Sequence, residues 1–246
     1  MAPIHDAADS LDVAALQREL DAGVSPDLLD VDGCCPLYES ILFGSAVRPP
    51  DSIYRRLACI EALLDAGASV NATSDGGITA LHCAVARTDR SAFPADFELI
   101  VDRLILAGAD VSATTEEGIS VLAIAASNGR STVITKLLSA GAVDPKGFDE
   151  PLQFALRGLR PRNCALLMRA GAVLPMTLDP DPTWNEWLEQ SPYLRKVYET
   201  PGGFPAYEKA HRQRLTAIFL PKLPSLPAEI ISHIVSFGFH CGCSYF

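Results

Sequence analysis

The chain lacks the features that would put it in a membrane or on nucleic acid. No apolar run approaches the ~18–20 residues that cross a bilayer. The opening MAPIHDAADS has neither the basic stretch nor the apolar core of a secretory leader. There is no excess of positive charge: 20 Lys and Arg stand against 30 Asp and Glu, a net charge of −10. Phosphate backbones and anionic bilayers select the opposite sign. No G-x-x-x-x-G-K-[ST] or G-x-G-x-x-G loop is present to cradle a phosphate, and Gly202-Gly203 reads as a turn. The seven cysteines include no C-x₂-C pair, which fits reduced thiols better than a disulfide framework or a zinc site. A soluble, cytoplasmic chain is expected, with the nucleus left open. No cofactor, metal, membrane or nucleic acid is expected, and a monomer is.

What is present is a length of 246 residues, 48% hydrophobic and 20% charged, enough for a real core. The acidity is uneven. Residues 183–246 carry six Lys and Arg against five Asp and Glu, so the first 182 residues hold 14 against 25, a balance of −11.

A phrase recurs through that acidic part: an apolar helix ending in Gly. It stands in LQRELDAG, IEALLDAG, VDRLILAG, ITKLLSAG and ALLMRAG, whose glycines (Gly23, Gly67, Gly108, Gly141 and Gly171) lie 44, 41, 33 and 30 residues apart. Ahead of each lies a second phrase: PIHDAA, CPLYES, TALHCAVA, SVLAIAAS and EPLQFAL. A Thr or Ser opening such a phrase can cap a helix, and Pro suits its first turn. The Leu pairs (Leu63/Leu64, Leu137/Leu138, Leu166/Leu167) supply a buried stripe, and the Gly after them suits a left-handed helix end.

These paired phrases resemble the ankyrin repeat, best preserved in Thr79-Ala80-Leu81-His82-Cys83-Ala84 and Ala68-Ser69-Val70-Asn71-Ala72. The resemblance implies an all-α solenoid of helix pairs with β-turn tips, about five repeats over 1–176, followed by a small C-terminal helical unit. It further implies a protein partner docked on the concave face, at tips Asp30, Asp32, Ser74, Asp75, Thr115, Glu116, Glu117 and Lys146. Their acidity favours a partner with a basic patch. His5 and His82 fall on the structural histidine of the repeat, and Asn71 on an asparagine that intracellular hydroxylases can modify. Two insertions, Gly44 to Leu57 and Thr88 to Phe97, account for the longer spacings. Their Arg48, Arg55, Arg56 and Arg90 form either a basic ridge or ordinary surface loops.

No nucleophile, base and third partner stand together, so no enzyme is expected. His233, His240, Cys241 and Cys243 have poor metal-ligand spacing. Cys243-Ser244-Tyr245-Phe246 stands where a prenylation box would, without its aliphatic pair.

A proline-rich break at 177–184 separates the repeats from a C-terminal helical region, 185–246, holding four of the six tyrosines. Helices are predicted in TWNEWLEQSPYLRKVY and PAYEKAHRQRLTAIFL. Then comes LPAEIISHIVSF, residues 226–237, in which Ile230, Ile231, Ile234 and Val235 make one apolar stripe. It resembles the start of an F-box at Leu226, Pro227, Glu229, Ile230, Ile234 and Phe237. That resemblance implies docking on a Skp1-type adaptor of a cullin-type ubiquitin ligase. The alternative is a cap on the last repeat, which solenoids require.

Overall fold

The computed structural model describes residues 3–42, 51–90, 94–128, 130–144, 147, 149–158, 160–172, 191–222, 227 and 230–231. The described residues form twelve α-helices, with no strand beyond two isolated bridges, Thr73–Thr79 and Thr114–Ser120. Ten of the helices make five pairs: α1 (Pro3–Ser10) and α2 (Val13–Asp21), α3 (Pro36–Leu42) and α4 (Asp51–Asp65), α5 (Ala80–Arg90) and α6 (Pro94–Leu106), α7 (Val121–Asn128) and α8 (Ser131–Ser139), α9 (Asp149–Arg157) and α10 (Pro161–Ala170). Two more follow, α11 (Pro192–Glu199) and α12 (Gly203–Phe219).

Each pair closes on itself, and the first helices pack in series, α1 on α3, α3 on α5, α5 on α7 and α7 on α9. Second helices touch along the other side, α2 on α4, α6 on α8 and α8 on α10. One cluster of buried side chains runs from Ile4 to Phe204, through Leu37, Leu63, Leu81, Leu104, Leu122, Leu137 and Leu167. Of the three Leu pairs, Leu63, Leu137 and Leu167 are fully buried, and their neighbours Leu64, Leu138 and Leu166 are half-buried. No described helix is long and apolar enough to cross a membrane.

The recurring Gly works as a helix stop. At Gly67, φ is +90°, a conformation without penalty only for glycine. Its N–H reaches Leu64 O at 3.0 Å, and Ala68 N–H reaches Leu63 O at 2.9 Å. Those two bonds satisfy carbonyls that the helix end would leave orphaned. The same pair of bonds follows α2, α6, α8 and α10.

Carbonyls of the first helices also take side chains from other elements. Asn128 Nδ2 donates to Val85 O and Ala86 O at 3.0 and 3.3 Å, and Asn163 Nδ2 donates to Ala126 O at 2.9 Å. Arg56 serves α3, donating to Ser40 O and, at 2.9 Å, to Ile41 O. Arg56 is therefore buried and belongs to no surface ridge. Burial, with Arg87 nearby, lowers its pKa to about 10. Of the other arginines in that ridge, Arg55 is exposed, while Arg48 and the Arg90 side chain lie outside the described residues. The insertions lengthen helices: α4 starts at Asp51 and runs 15 residues, and α6 starts at Pro94 and runs 13.

The C-terminal pair rests on α10. Arg169 Nε meets Glu208 Oε1 at 2.8 Å, and Arg212 Nη2 meets the same oxygen at 3.1 Å. Leu194, Val197 and Phe204 join the common core beside them. Ser191 and Pro192 start α11 as a cap and first-turn residue. The predicted linker and the stretch 184–190 lie outside the described residues.

Candidate protein-binding surface

The turns between successive pairs form a connected row. Asp27 accepts Ser69 N–H at 2.9 Å, Asn71 Oδ1 accepts Asp110 N–H at 2.8 Å, and Ser112 Oγ accepts Val143 N–H at 3.0 Å. The three acceptors occupy one position of successive units, so a single device tethers each tip to the next. Asn71 also donates to Gly108 O at 3.3 Å, which gives it a full structural role. The third and fourth tips touch directly through Glu116 N–H to Gly76 O at 2.8 Å. A Cβ on Gly33 would stand 2.7 Å from Asp75 Oδ1, so the Asp75 side chain reaches across to the second tip.

Within this row the sequence-predicted residues divide in two. Asp30, Ser74 and Thr115 build the turns. Asp30 Oδ1 accepts Asp32 N–H and Cys34 N–H at 2.9 and 2.8 Å, and Thr115 Oγ1 accepts Ile119 N–H at 3.2 Å. Ser74 is buried, and its hydroxyl turns to the carbonyls of Asp75 and Ile78. Asp32, Asp75, Glu116 and Glu117 are exposed and face solvent along the row. Lys146 lies outside the described residues.

Sequence reasoning missed three residues here. Leu28, Leu29 and Val31 of the second tip are 39%, 56% and 94% exposed. A signal was available: the corresponding residues of the third tip are Ala72, Thr73 and Asp75, all small or polar.

Behind the tips, each junction between units solves the same buried-polar problem with different residues. In the third unit Thr79 Oγ1 bonds His82 Nδ1 at 2.8 Å. Burial lowers the His82 pKa against the opposing backbone of Ile119 and Ala113. The first unit has Ala2 where Thr79 would be, and Glu39 of α3 reaches back to His5 Nδ1 at 2.7 Å. Both side chains are buried. Burial and the nearby Asp30 push the Glu39 carboxyl up to about 8, while burial lowers His5. In the second unit Tyr38 takes the histidine place, beside Cys83 and Ser74; burial first, then Cys83, raises its hydroxyl to about 12. In the fourth unit Ala123 takes that place, and Ser120 Oγ donates instead to the buried Asp144.

Donor atoms of His5, Asp30 and Glu39 lie within 4.8 Å of one another, the one such group among the described residues that could hold a metal ion. Its donors are already committed, Glu39 to His5 and Asp30 to the turn. The described cysteines (Cys34, Cys35, Cys59, Cys83 and Cys164) are free thiols, and burial raises Cys164 to about 12 and Cys59 and Cys83 to about 11. Thiols held protonated are poor nucleophiles.

A family model of ankyrin repeats in many copies matches residues 52–95, and one of a single ankyrin repeat matches 76–116. Residues 52–116 are ankyrin repeats. No curated protein matches the chain. Ankyrin repeats are in general non-enzymatic modules for protein–protein interaction. The matched segment contains the third tip, the His82–Thr79 bond and Asn71, and it extends to Glu116 in the fourth tip.

In the C-terminal region, Ile230 is 46% exposed, whereas Ile231 is fully buried. Pro227 is exposed. Leu226, Glu229, Ile234 and Phe237, with His233, His240, Cys241 and Cys243, lie outside the described residues.

Proposed function

We propose that this chain is a non-enzymatic binding module whose ankyrin repeats, about five, continue as a solenoid over 1–176. It holds a partner protein on the concave side formed by the turn tips and first helices. The second tip carries the reading. Exposed Leu28, Leu29 and Val31 stand among acidic side chains, with Asp32 beside them and Asp75, Glu116 and Glu117 next along the row. Contiguous exposed apolar groups rimmed by charge mark interaction sites, and the sign of the rim selects a basic partner. Apolar anchors supply affinity, and the carboxylates steer encounter.

Affinity capture with the wild type and with a Val31→Ser/Asp32→Ser/Asp75→Ser variant tests this. Captured proteins are expected to fall about tenfold or more, as the loss of one apolar anchor and two rim carboxylates implies. An Ile218→Ser variant should retain them, since exposed Ile218 lies on α12, beyond the repeats. Equal recovery by all three proteins would remove the tip surface from the account.

A second reading is favoured by the isoleucine pair. Ile230 occupies a position of the F-box-like pattern and is turned outward, while its neighbour outside the pattern is buried. That is the arrangement required for a helix that docks on a Skp1-type adaptor and passes a bound substrate to a cullin-type ubiquitin ligase. In a binding assay with purified adaptor, the wild type should bind and Ile230→Asp should not. No binding by the intact chain excludes the adaptor role.

A further inference from the structure

Helices α11 and α12 enclose an open groove of about 420 Å³, walled by Lys196 and Glu199 on one side and by Tyr207, Ala210, His211 and Arg214 on the other. Its one carboxylate is engaged: Glu199 Oε1 meets Arg195 Nε at 3.0 Å. Arg214 Nη2 lies 3.0 Å from His211 Nδ1, so guanidinium and imidazole share one edge. The floor is aromatic. Tyr207 and His211 rings stack at 5.6 Å and 10°, and Tyr193 meets Tyr207 edge-on at 5.6 Å.

We infer that this groove binds a short acidic peptide segment of a partner protein. Lys196 and Arg214 stand on opposite walls and take carboxylates of the segment, Arg214 in a fork if its side chain swings off His211. The ring stack and Ala210 take its apolar atoms. These cations would hold a phosphate as well as a carboxylate, and the ring stack beside them adds contacts that only a ligand with apolar atoms uses. The field also limits the ligand's length. The first 182 residues carry −11, which repels an extended polyanion or an anionic bilayer and leaves a short segment admissible.

The groove adds a pH signature. His211 is faced by Arg214 and Tyr207 of its own helix and by Lys196 and Glu199 of α11. Burial, Arg214 and Lys196 all lower its pKa. A carboxylate arriving in the groove reverses the local charge and draws a proton onto the ring, so binding tightens as pH falls.

Fluorescence anisotropy with the full chain and a fluorescein-labelled peptide of alternating Glu and Leu tests the inference. The Glu/Leu peptide should bind at least about tenfold tighter than its Gln/Leu counterpart. Lys196→Ala/Arg214→Ala should erase that difference, and Lys209→Ala, exposed on α12 outside the groove, should keep it. His211→Gln should flatten the pH dependence between 6 and 8. Equal affinity for the two peptides overturns the proposal, as does indifference to the double substitution. Displacement by inorganic phosphate at stoichiometric concentration makes this a small-anion site and overturns it too. Self-association lost in the double variant assigns the groove to a second copy of this chain, and phosphatidylserine-vesicle binding lost there assigns it to a membrane; either outcome overturns the peptide.

Discussion

Replacing Arg56 with alanine is expected to lower unfolding free energy by about 3 kcal/mol, read as a shift in urea midpoint. Three losses combine. Ser40 O and Ile41 O lose charge-assisted donors at the end of α3, and a buried carbonyl left unpaired costs ~1–3 kcal/mol. The guanidinium also leaves the Phe97 ring, 5.5 Å below it, an interaction worth up to ~2 kcal/mol when desolvated. The aliphatic stem vacates core volume. One gain opposes these: Arg87 lies over the same ring at 5.5 Å and is relieved of a like charge. Arg56→Met separates the contributions, since it keeps the stem and loses the donors. It should recover about 1 kcal/mol of the loss. A midpoint unchanged by Arg56→Ala would mean that water caps α3 equally well.

The second large effect is on pH dependence. His5 and Glu39 form a coupled buried pair that holds one proton, whichever atom carries it. In the unfolded chain Glu39 gives up its proton near 4.5 and His5 near 6.5, so above 6.5 neither holds one. The folded pair keeps its proton until about 8. Through that window the folded state binds more protons than the unfolded state, and stability falls as pH rises. At ~1.4 kcal/mol per pH unit the loss reaches about 2 kcal/mol by pH 8. Below about 4.5 the unfolded chain takes up a second proton, and the pair's contribution declines again. Glu39→Gln preserves a hydrogen bond to His5 and carries no titrating proton, so its stability should be flat from pH 6.5 to 8.5. Equal slopes for the two proteins would place the proton elsewhere.

How much of this was legible in the chain depends on how local each signal is. The helix stop at Gly67 and its four counterparts is written within a few residues, because left-handed backbone selects glycine at one site. The Thr79–His82 bond is equally local. Arg56 was misplaced on a surface ridge because the insertion was read as a loop. Counting back in helical steps from Leu63 through Ile60 and Cys59 puts Arg56 on the same buried stripe, so the signal was present. Glu39 gave no such signal. Its partner is 34 residues away, and only the fold shows that it replaces the hydroxyl missing at Ala2. Among the tips, acidity alone did not separate Asp30, which turns inward to its own loop, from Asp32, which does not. That difference rests on which carboxylate the turn closes around. The outward Leu28, Leu29 and Val31 carry no helical or strand period, and only setting the second tip against Ala72, Thr73 and Asp75 of the third brings them out.

The junctions between units have a consequence for assembly order. His5 with Glu39, Tyr38 with Ser74, His82 against the backbone of Ile119 and Ala113, and Ser120 with Asp144 are four different couplings at successive junctions. A repeat built from identical couplings could be deleted, duplicated or shuffled and still find a matching neighbour. Here removing the second unit would set His5 against Cys83, the third unit's counterpart of Glu39, and the ring would lose its carboxyl partner. The first junction is thus matched to its own neighbour, and a reordered stack would leave the buried His5 ring without its carboxyl.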